Sequence, residues 1–290
     1  MINRITQGNC FSLLPEIPES SIDLLLTDPP YVTALADLYK SWNLSNHDFE
    51  VLADQFKRIL KPNGQICIFA DYQTSLAIGN AFQKYFAFRF YFVWIKSHGQ
   101  PINKQSPISN VEMILVWKHK KAKTSSLTFN PQYSPGAAYR KLHRGGNPTR
   151  KKHDGYLTDN VTGDRFPTNC LYYPAKDNLP QSERIEGMPC QKSIGLIGYL
   201  IKTLSKKGDL VCDPFSGSGS VAVACHRLNR NFICIERDPG FYQKSVERLK
   251  NEMAQGNLFA KNETSLAELN DHSQTCHNVP LLTENRLNRL

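Results

Sequence analysis

No apolar run in this sequence is long enough to cross a bilayer; the apolar stretch at 195–201 is far too short, so no membrane association is expected. The opening residues, Met1-Ile2-Asn3-Arg4-Ile5-Thr6-Gln7, lack the hydrophobic segment of a signal peptide. The eight cysteines, at 10, 67, 170, 190, 212, 225, 234 and 276, include no C-x-x-C pair and no metal-ligand spacing, which argues against a finger, a thioredoxin-type motif and any metal site. Lone thiols, several of them inside apolar runs, suit reduced cysteine in a cytoplasmic setting. There is no internal repeat. Acidic residues are also short in number, 26 against 35 Lys and Arg, for a formal charge of +9. Within residues 96–185 the basic residues outnumber the acidic ones 15 to 6, and elsewhere they balance at 20 each. All the excess therefore lies in one segment. A confined basic block implies a polyanionic partner such as nucleic acid, with solubility as the bland alternative.

What is present is ordinary globular composition, 40% apolar and 21% charged, in a chain long enough for one main domain and an insertion. Ser21-Ile22-Asp23-Leu24-Leu25-Leu26-Thr27 is a short apolar run stopped by prolines and reads as a buried parallel strand. Apolar residues at helical spacing over 49–60 end at Lys61-Pro62-Asn63-Gly64, and a buried strand follows at 65–70. A helical stretch at 76–86 precedes strand candidates at 88–95 and 111–117. From 118 to about 177 the pattern dissolves into a polar, basic, Gly- and Pro-punctuated insertion rather than more sheet. Regular structure resumes with a helix at 193–204, a strand at 209–212, a Gly/Ser turn leading into a helix to about 228, a strand at 231–235 and a helix at 239–253. Alternating strands and helices make the class α/β. The domain expectation is a first half at 1–117, an insertion at 118–185, a second half at 186–254 and a polar, loosely held tail at 255–290.

Asp213-Pro214-Phe215-Ser216-Gly217-Ser218-Gly219-Ser220 follows a strand and opens a helix, and Glu236 ends the next strand. Glycines there let backbone approach a ligand, and an acidic residue at the second strand end accepts hydrogen bonds from ribose hydroxyls. Gly217-x-Gly219-x-x-Ala222 also fits a dinucleotide fingerprint, so a nicotinamide- or flavin-dependent oxidoreductase is the rival. Asp213 discriminates between them: a carboxylate at the first strand's end repels pyrophosphate but favours the sulfonium and ammonium groups of S-adenosylmethionine.

The second motif is Asp28-Pro29-Pro30-Tyr31. An amino group on a base is a poor nucleophile because its lone pair is delocalised into the ring. Acceptors aimed at its two hydrogens favour the reactive, pyramidal nitrogen. Asp28 can supply a carboxylate oxygen and Pro29 a backbone carbonyl, while the prolines stiffen the loop. Tyr31 can stack on a base taken out of a duplex. The alternative is an ordinary Pro-rich turn after a strand.

With both motifs in hand, the chain resembles the amino-methyltransferases of DNA over most of residues 5–250. Gly8-Asn9-Cys10 before Leu13-Leu14, and the strand into Asp28-Pro29-Pro30-Tyr31, look like the family's opening. Leu60-Lys61-Pro62-Asn63-Gly64, Trp94-Ile95-Lys96, Glu112-Met113-Ile114-Leu115, Phe166-Pro167-Thr168-Asn169, Pro189-Cys190-Gln191-Lys192 and Phe232-Ile233-Cys234-Ile235-Glu236 continue its order. The catalytic motif precedes the cofactor turn, as in the permuted β-group and unlike the protein-glutamine and ribosomal-RNA enzymes. The resemblance implies a circularly permuted class I S-adenosylmethionine-dependent methyltransferase, Rossmann-like with a mostly parallel twisted sheet and a basic target-recognition insertion. It implies methyl transfer to adenine N6 of double-stranded DNA, with cytosine N4 as the alternative, since the family's cytosine enzymes usually begin the motif with Ser. Cofactor-binding positions by that resemblance are Asn9, Cys10, Asp28, Lys192, Asp213, Pro214, Phe215, Ser216, Gly217, Ser218, Gly219, Glu236 and Arg237, with Lys192 facing the methionine carboxylate and Asn9 near the adenine. The chain departs from the family where Met188-Pro189-Cys190-Gln191-Lys192-Ser193 stands in place of His-Pro-Thr-Gln-Lys-Pro, and where Ser220 replaces Thr. Candidate partners are a cognate restriction endonuclease and a second copy of the chain.

Pro189-Cys190-Gln191 spells the nucleophile motif of cytosine-C5 methyltransferases, but it precedes the cofactor turn here, whereas in those enzymes it follows. In the insertion, Arg140, Lys141, Arg144, Arg150, Lys151 and Lys152, with Tyr133, Tyr139 and Tyr156 interleaved, are the expected DNA contacts. A solvated loop, or a catalytically silent DNA-binding protein, are the competing readings.

Overall fold

The computed structural model describes residues 1–32, 43–100, 105, 107–143, 156–188 and 190–259. In chain order the strands are β1 (Arg4–Gln7), β2 (Ile22–Thr27), β3 (Leu60–Ala70), β4 (Phe86–Gln100), β5 (Ser109–His119), β6 (Tyr139–His143), β7 (Tyr156–Asn160), β8 (Cys170–Tyr172), β9 (Leu210–Asp213) and β10 (Asn231–Glu236). The helices are α1 (Cys10–Leu13), α2 (Asn46–Ile59), α3 (Tyr72–Phe82), α4 (Ile194–Leu204), α5 (Ser220–Arg227) and α6 (Pro239–Phe259). Of the described residues, those of 1–130 and 169–259 make one compact unit, and those of Pro131–Thr168 a small second unit.

The large unit is built on an eight-stranded sheet in the order β1-β10-β9-β2-β3-β5-β4-β8. From β1 to β3 every pairing is parallel. Strand β5 then runs antiparallel to both β3 and β4, and β8 lies parallel to β4. The apolar run of β2 is explained by burial on both faces: Leu24 and Leu26 enter a core with Leu196, Leu200 and Ala222, whereas Ile22 and Leu25 enter a second core with Phe49, Phe56 and Ile78. Helices α4 and α5 cover the first face, and α2 and α3 the second.

Local chemistry sets the helix boundaries. Ser45 and Asp48 form a reciprocal capping box at the start of α2, whose buried Phe49, Leu52, Ala53, Phe56 and Ile59 make one apolar stripe. The helix expected at 76–86 begins and ends about one turn earlier, because Asp71 caps it by accepting from Thr74 N at 2.7 Å and the chain enters β4 at Phe86.

Four strands escape the periodicity argument. In β1 only Ile5 is buried, so a four-residue edge strand carries no alternating signal. The expectation of no further sheet between 118 and 177 is corrected by β8, whose three residues pair with Val93, Trp94 and Ile95, and by β6 and β7, which pair with each other. The separate small unit is the inner part of the expected 118–185 insertion; the flank before it packs on the large unit, where Gln65 Nε2 donates to Thr128 O at 2.8 Å and Asn130 Nδ2 to Lys202 O at 2.9 Å. Helix α6 runs to Phe259, past the expected end at 253, and the rest of the expected tail, 260–290, lies outside the described residues.

Within the small unit β6 and β7 pair antiparallel, and Ser134 bridges Arg165. Asn160 Oδ1 accepts from Gly163 N at 2.7 Å, and Gly163 holds φ +80° with Gly136 O only 1.9 Å from where a Cβ would stand. That turn therefore admits only glycine.

Candidate active site

Strands β2 and β9 are neighbours, with Leu25 opposite Cys212. Their carboxyl ends consequently bring Asp28 and Asp213 to the same edge, the usual place for ligands in an open α/β sheet.

Leaving β2, the chain places Asp28 beside Lys192, whose Nζ donates to Asp28 Oδ2 at 2.5 Å. Tyr31 Oη lies 3.1 Å from Asp28 Oδ1 and makes a closer hydrogen bond to Glu112 Oε1. Glu112 is 7% exposed on β5; it also pairs with Lys96 at 2.7 Å through Oε2 and with Lys192 at 3.3 Å through Oε1. Two carboxylates and two ammonium groups thus balance around one phenol. Lys192 Nζ also lies over the rings of Phe69 and Trp94, at 5.1 and 5.7 Å. The loop is held further by Val32 N, which donates to buried Thr74 Oγ1 at 3.1 Å.

Charge sharing separates the two acids. Burial alone would raise Glu112, but Lys192 and Lys96 overrule it and draw its pKa down to about 2. Asp28 moves the other way: burial, with Glu112 adding to it, lifts its carboxyl above the ordinary value against the pull of Lys192. Burial works against the Lys192 charge, yet Asp28 and Glu112 raise its pKa and keep it protonated.

The glycine turn forms the other half. Asp213 is buried, and its Oδ1 accepts from Thr27 Oγ1 at 2.7 Å and Phe215 N at 3.1 Å. Burial exceeds the effect of both donors and pushes its pKa up to about 7. Gly217 and Gly219 adopt φ +49° and +72°, and Gly219 caps α5. A Cβ on Gly217 would meet nothing within 4 Å, and the buried Ser216 Oγ has only the weak Cys234 thiol as a partner among the described residues. Open space, a weakly satisfied hydroxyl and a buried carboxyl in one turn suit a polar, cationic ligand. Glu236 accepts from Gly217 N through Oε2 and Asp238 N through Oε1, at 2.7 and 2.8 Å, and each oxygen retains a lone pair.

The remaining expected positions divide. Asn9 caps α1 by accepting from Phe11 N at 3.0 Å, which leaves its amide hydrogens for other partners. Cys10 is buried, and burial raises its thiol pKa to about 12, which keeps the thiol protonated. Pro214 and Ser218 are buried, Phe215 is half-buried, and Arg237 is exposed. Lys192, expected to face a cofactor carboxylate, is engaged by Asp28 and Glu112. Cys190 is exposed as a residue, but burial, followed by the nearby carboxylates, raises its thiol pKa. A thiol held protonated is a poor nucleophile, which weighs against the C5-type reading. Arg140 is exposed on β6 beside Lys141, while Arg144, Arg150, Lys151 and Lys152 lie outside the described residues.

Thr27, Lys96, Glu112 and Arg248 were missed as site residues. Arg248 donates to Ser220 Oγ and Ser218 O, each at 3.1 Å, bracing the turn from α6. A glutamate inside the apolar strand 111–117 was the available signal for Glu112.

The profile of a DNA methylase family, covering its N6 and N4 branches, matches residues 22–247. The Type II methyltransferase M2.MboI of Moraxella bovis is 27% identical over 87% of this chain and 91% of its own. The Type II methyltransferase M.HinfI of Haemophilus influenzae is 26% identical over 86% of this chain and 68% of its own. Among solved structures, the M1.HpyAVI–SAM complex superposes with a TM-score of 0.56 at 23% identity, covering 85% of this chain and 98% of that one. The cytosine-N4-specific PvuII DNA methyltransferase gives 0.57 at 20% identity, covering 91% and 89%. Both neighbours share the class I methyltransferase fold.

Proposed function

The chain belongs to the N6/N4 DNA methylase family, and from that premise we propose that it methylates the N6 amino group of adenine in double-stranded DNA, taking the base out of the duplex to do so. The methyl donor of the family is S-adenosylmethionine. Ser216, Gly217, Asp213 and Glu236 would hold it, with Asn9 and Lys192 beside them, and bound there it supplies the electrophilic methyl group.

The observation that supports this reading is the placement of Asp28 Oδ1: it sits at the carboxyl end of β2, next to the glycine turn, with Oδ2 engaged by Lys192. Oδ1 and the Pro29 carbonyl are then the two acceptors for the hydrogens of a planar amino group, which brings its lone pair to bear. Tyr31 offers its ring for stacking. Adenine is favoured over cytosine because the motif opens with Asp. The unit Pro131–Thr168, with exposed Tyr133, Tyr139, Arg140 and Phe166, is the proposed target-recognition element, and a restriction endonuclease and a second copy of the chain are proposed partners.

Expression in a methylation-free host, followed by sequencing that distinguishes N6-methyladenine from N4-methylcytosine, tests the reading. N6-methyladenine at one recurring sequence is expected; N4-methylcytosine overturns the base assignment, and an unmodified genome overturns the proposal.

A further inference from the structure

A phenol has one proton, and Tyr31 Oη stands between two carboxylates. Its hydrogen bond to Glu112 Oε1 is the shorter, and Asp28 Oδ1 lies at 3.1 Å. An ionised carboxylate offers only acceptors, so once the proton points to Glu112 no other donor among the described residues occupies Asp28 Oδ1. Glu112 can hold that proton because its charge is secured by Lys96 at 2.7 Å and Lys192 at 3.3 Å.

We propose that Glu112 is a positioning residue that accepts the Tyr31 hydroxyl hydrogen bond and thereby keeps Asp28 Oδ1 open for the amino group of the target base. The inference rests on the site reading above. Without the Glu112 charge, the phenol proton turns to Asp28 and consumes the acceptor that the substrate needs. A glutamine at this position has one acceptor for three donors; with its oxygen on Lys96 at the Oε2 position, its NH2 stands at the Oε1 position and faces the phenol and Lys192.

The test is single-turnover transfer of a labelled methyl group to DNA, with enzyme in saturating excess over DNA and cofactor saturating. Glu112→Gln is expected to slow transfer at least about tenfold, while its affinity for S-adenosylhomocysteine, measured by titration, stays within about threefold of wild type. Tyr31→Phe keeps the ring and removes the proton. Placed in the Glu112→Gln background, it is expected to restore at least about threefold of the lost rate, a coupling that a purely structural glutamate would not produce. A Glu112→Gln enzyme at wild-type rate, or a double variant no faster than Glu112→Gln alone, overturns the proposal. If Glu112→Gln does not fold, Glu112→Asp, which withdraws the carboxylate by one methylene, replaces it with the same expectations. Asp28→Ala distinguishes the two levels: transfer surviving in it defeats the site reading itself, whereas transfer lost there but unslowed in Glu112→Gln defeats only the role of Glu112.

Discussion

Thr27 Oγ1 donates to Asp213 Oδ1 at 2.7 Å, so the residue just before the Asp-Pro-Pro-Tyr motif holds the carboxylate that begins the glycine turn, 186 positions away in the chain. The two halves of the site are thereby tied by a hydrogen bond at the sheet edge.

The first prediction concerns Asp28. Asp28→Ala removes the acceptor without opening a large cavity, and methyl transfer is expected to fall by about three orders of magnitude or more. Thermal unfolding should stay near wild type, because the side chain is 23% exposed and its loss frees Lys192 to pair fully with Glu112. Labelled-methyl incorporation beside a melting curve checks both.

The second follows from the direction of the Asp28 shift. Because burial raises its pKa, the active, ionised form is lost as pH falls while ordinary carboxylates are still charged. The single-turnover rate should decline on the acid side with a midpoint above about 4, the ordinary aspartate value. A rate flat down to that value would contradict the assignment of Asp28 as acceptor.

Asp213 gives a stability prediction. Its folded pKa of about 7 lies above the unfolded value, so the folded state binds the proton more tightly. Stability then falls as pH rises from about 4 to about 7 and levels off above, by an amount on the order of 4 kcal/mol at most. Asp213→Asn should flatten that slope and raise stability above neutral pH, read from urea unfolding at a series of pH values. A slope identical to wild type would count against the raised carboxyl.

The two turn glycines should respond unequally. A Cβ on Gly219 meets Ser245 Cβ at 3.1 Å and Ile5 Cδ1 at 3.3 Å on top of φ +72°, whereas Gly217 has open space around it. Gly219→Ala is expected to cost about 2–3 kcal/mol and Gly217→Ala about 1 kcal/mol in denaturant unfolding. Equal losses would mean that the turn conformation, and not the contact with α6, sets the cost.

Neutralising Arg150, Lys151 and Lys152 together should lower the slope of log Kd for DNA against log salt by about 2–3. An unchanged slope would remove these residues from the proposed DNA contacts.

Much of this site could be read from residue order alone. Asp28 and Asp213 each follow a buried apolar strand, and backbone geometry after such strands sends the next residues to the carboxyl edge whatever surrounds them. Gly217 and Gly219 mark a turn for a similarly local reason, since positive φ needs glycine. Strand β8 and Glu112 were harder: three residues of β8 carry no period, and a glutamate in an apolar strand says only that some partner exists.

The sequence by itself therefore determined the α/β class, the order of the Asp-Pro-Pro-Tyr motif before the glycine turn, and the position of Asp28 and Asp213 at the ends of buried strands, because each is encoded in short-range pattern. Only the tertiary structure decided that Thr27 holds Asp213, that Lys192 serves Asp28 and Glu112, and that Tyr31 lies between those two acids. Apart from that of Tyr31 with Asp28, those are contacts between residues far apart in the chain, set by which strands lie side by side, and hydrophobic periodicity does not specify neighbours across a sheet.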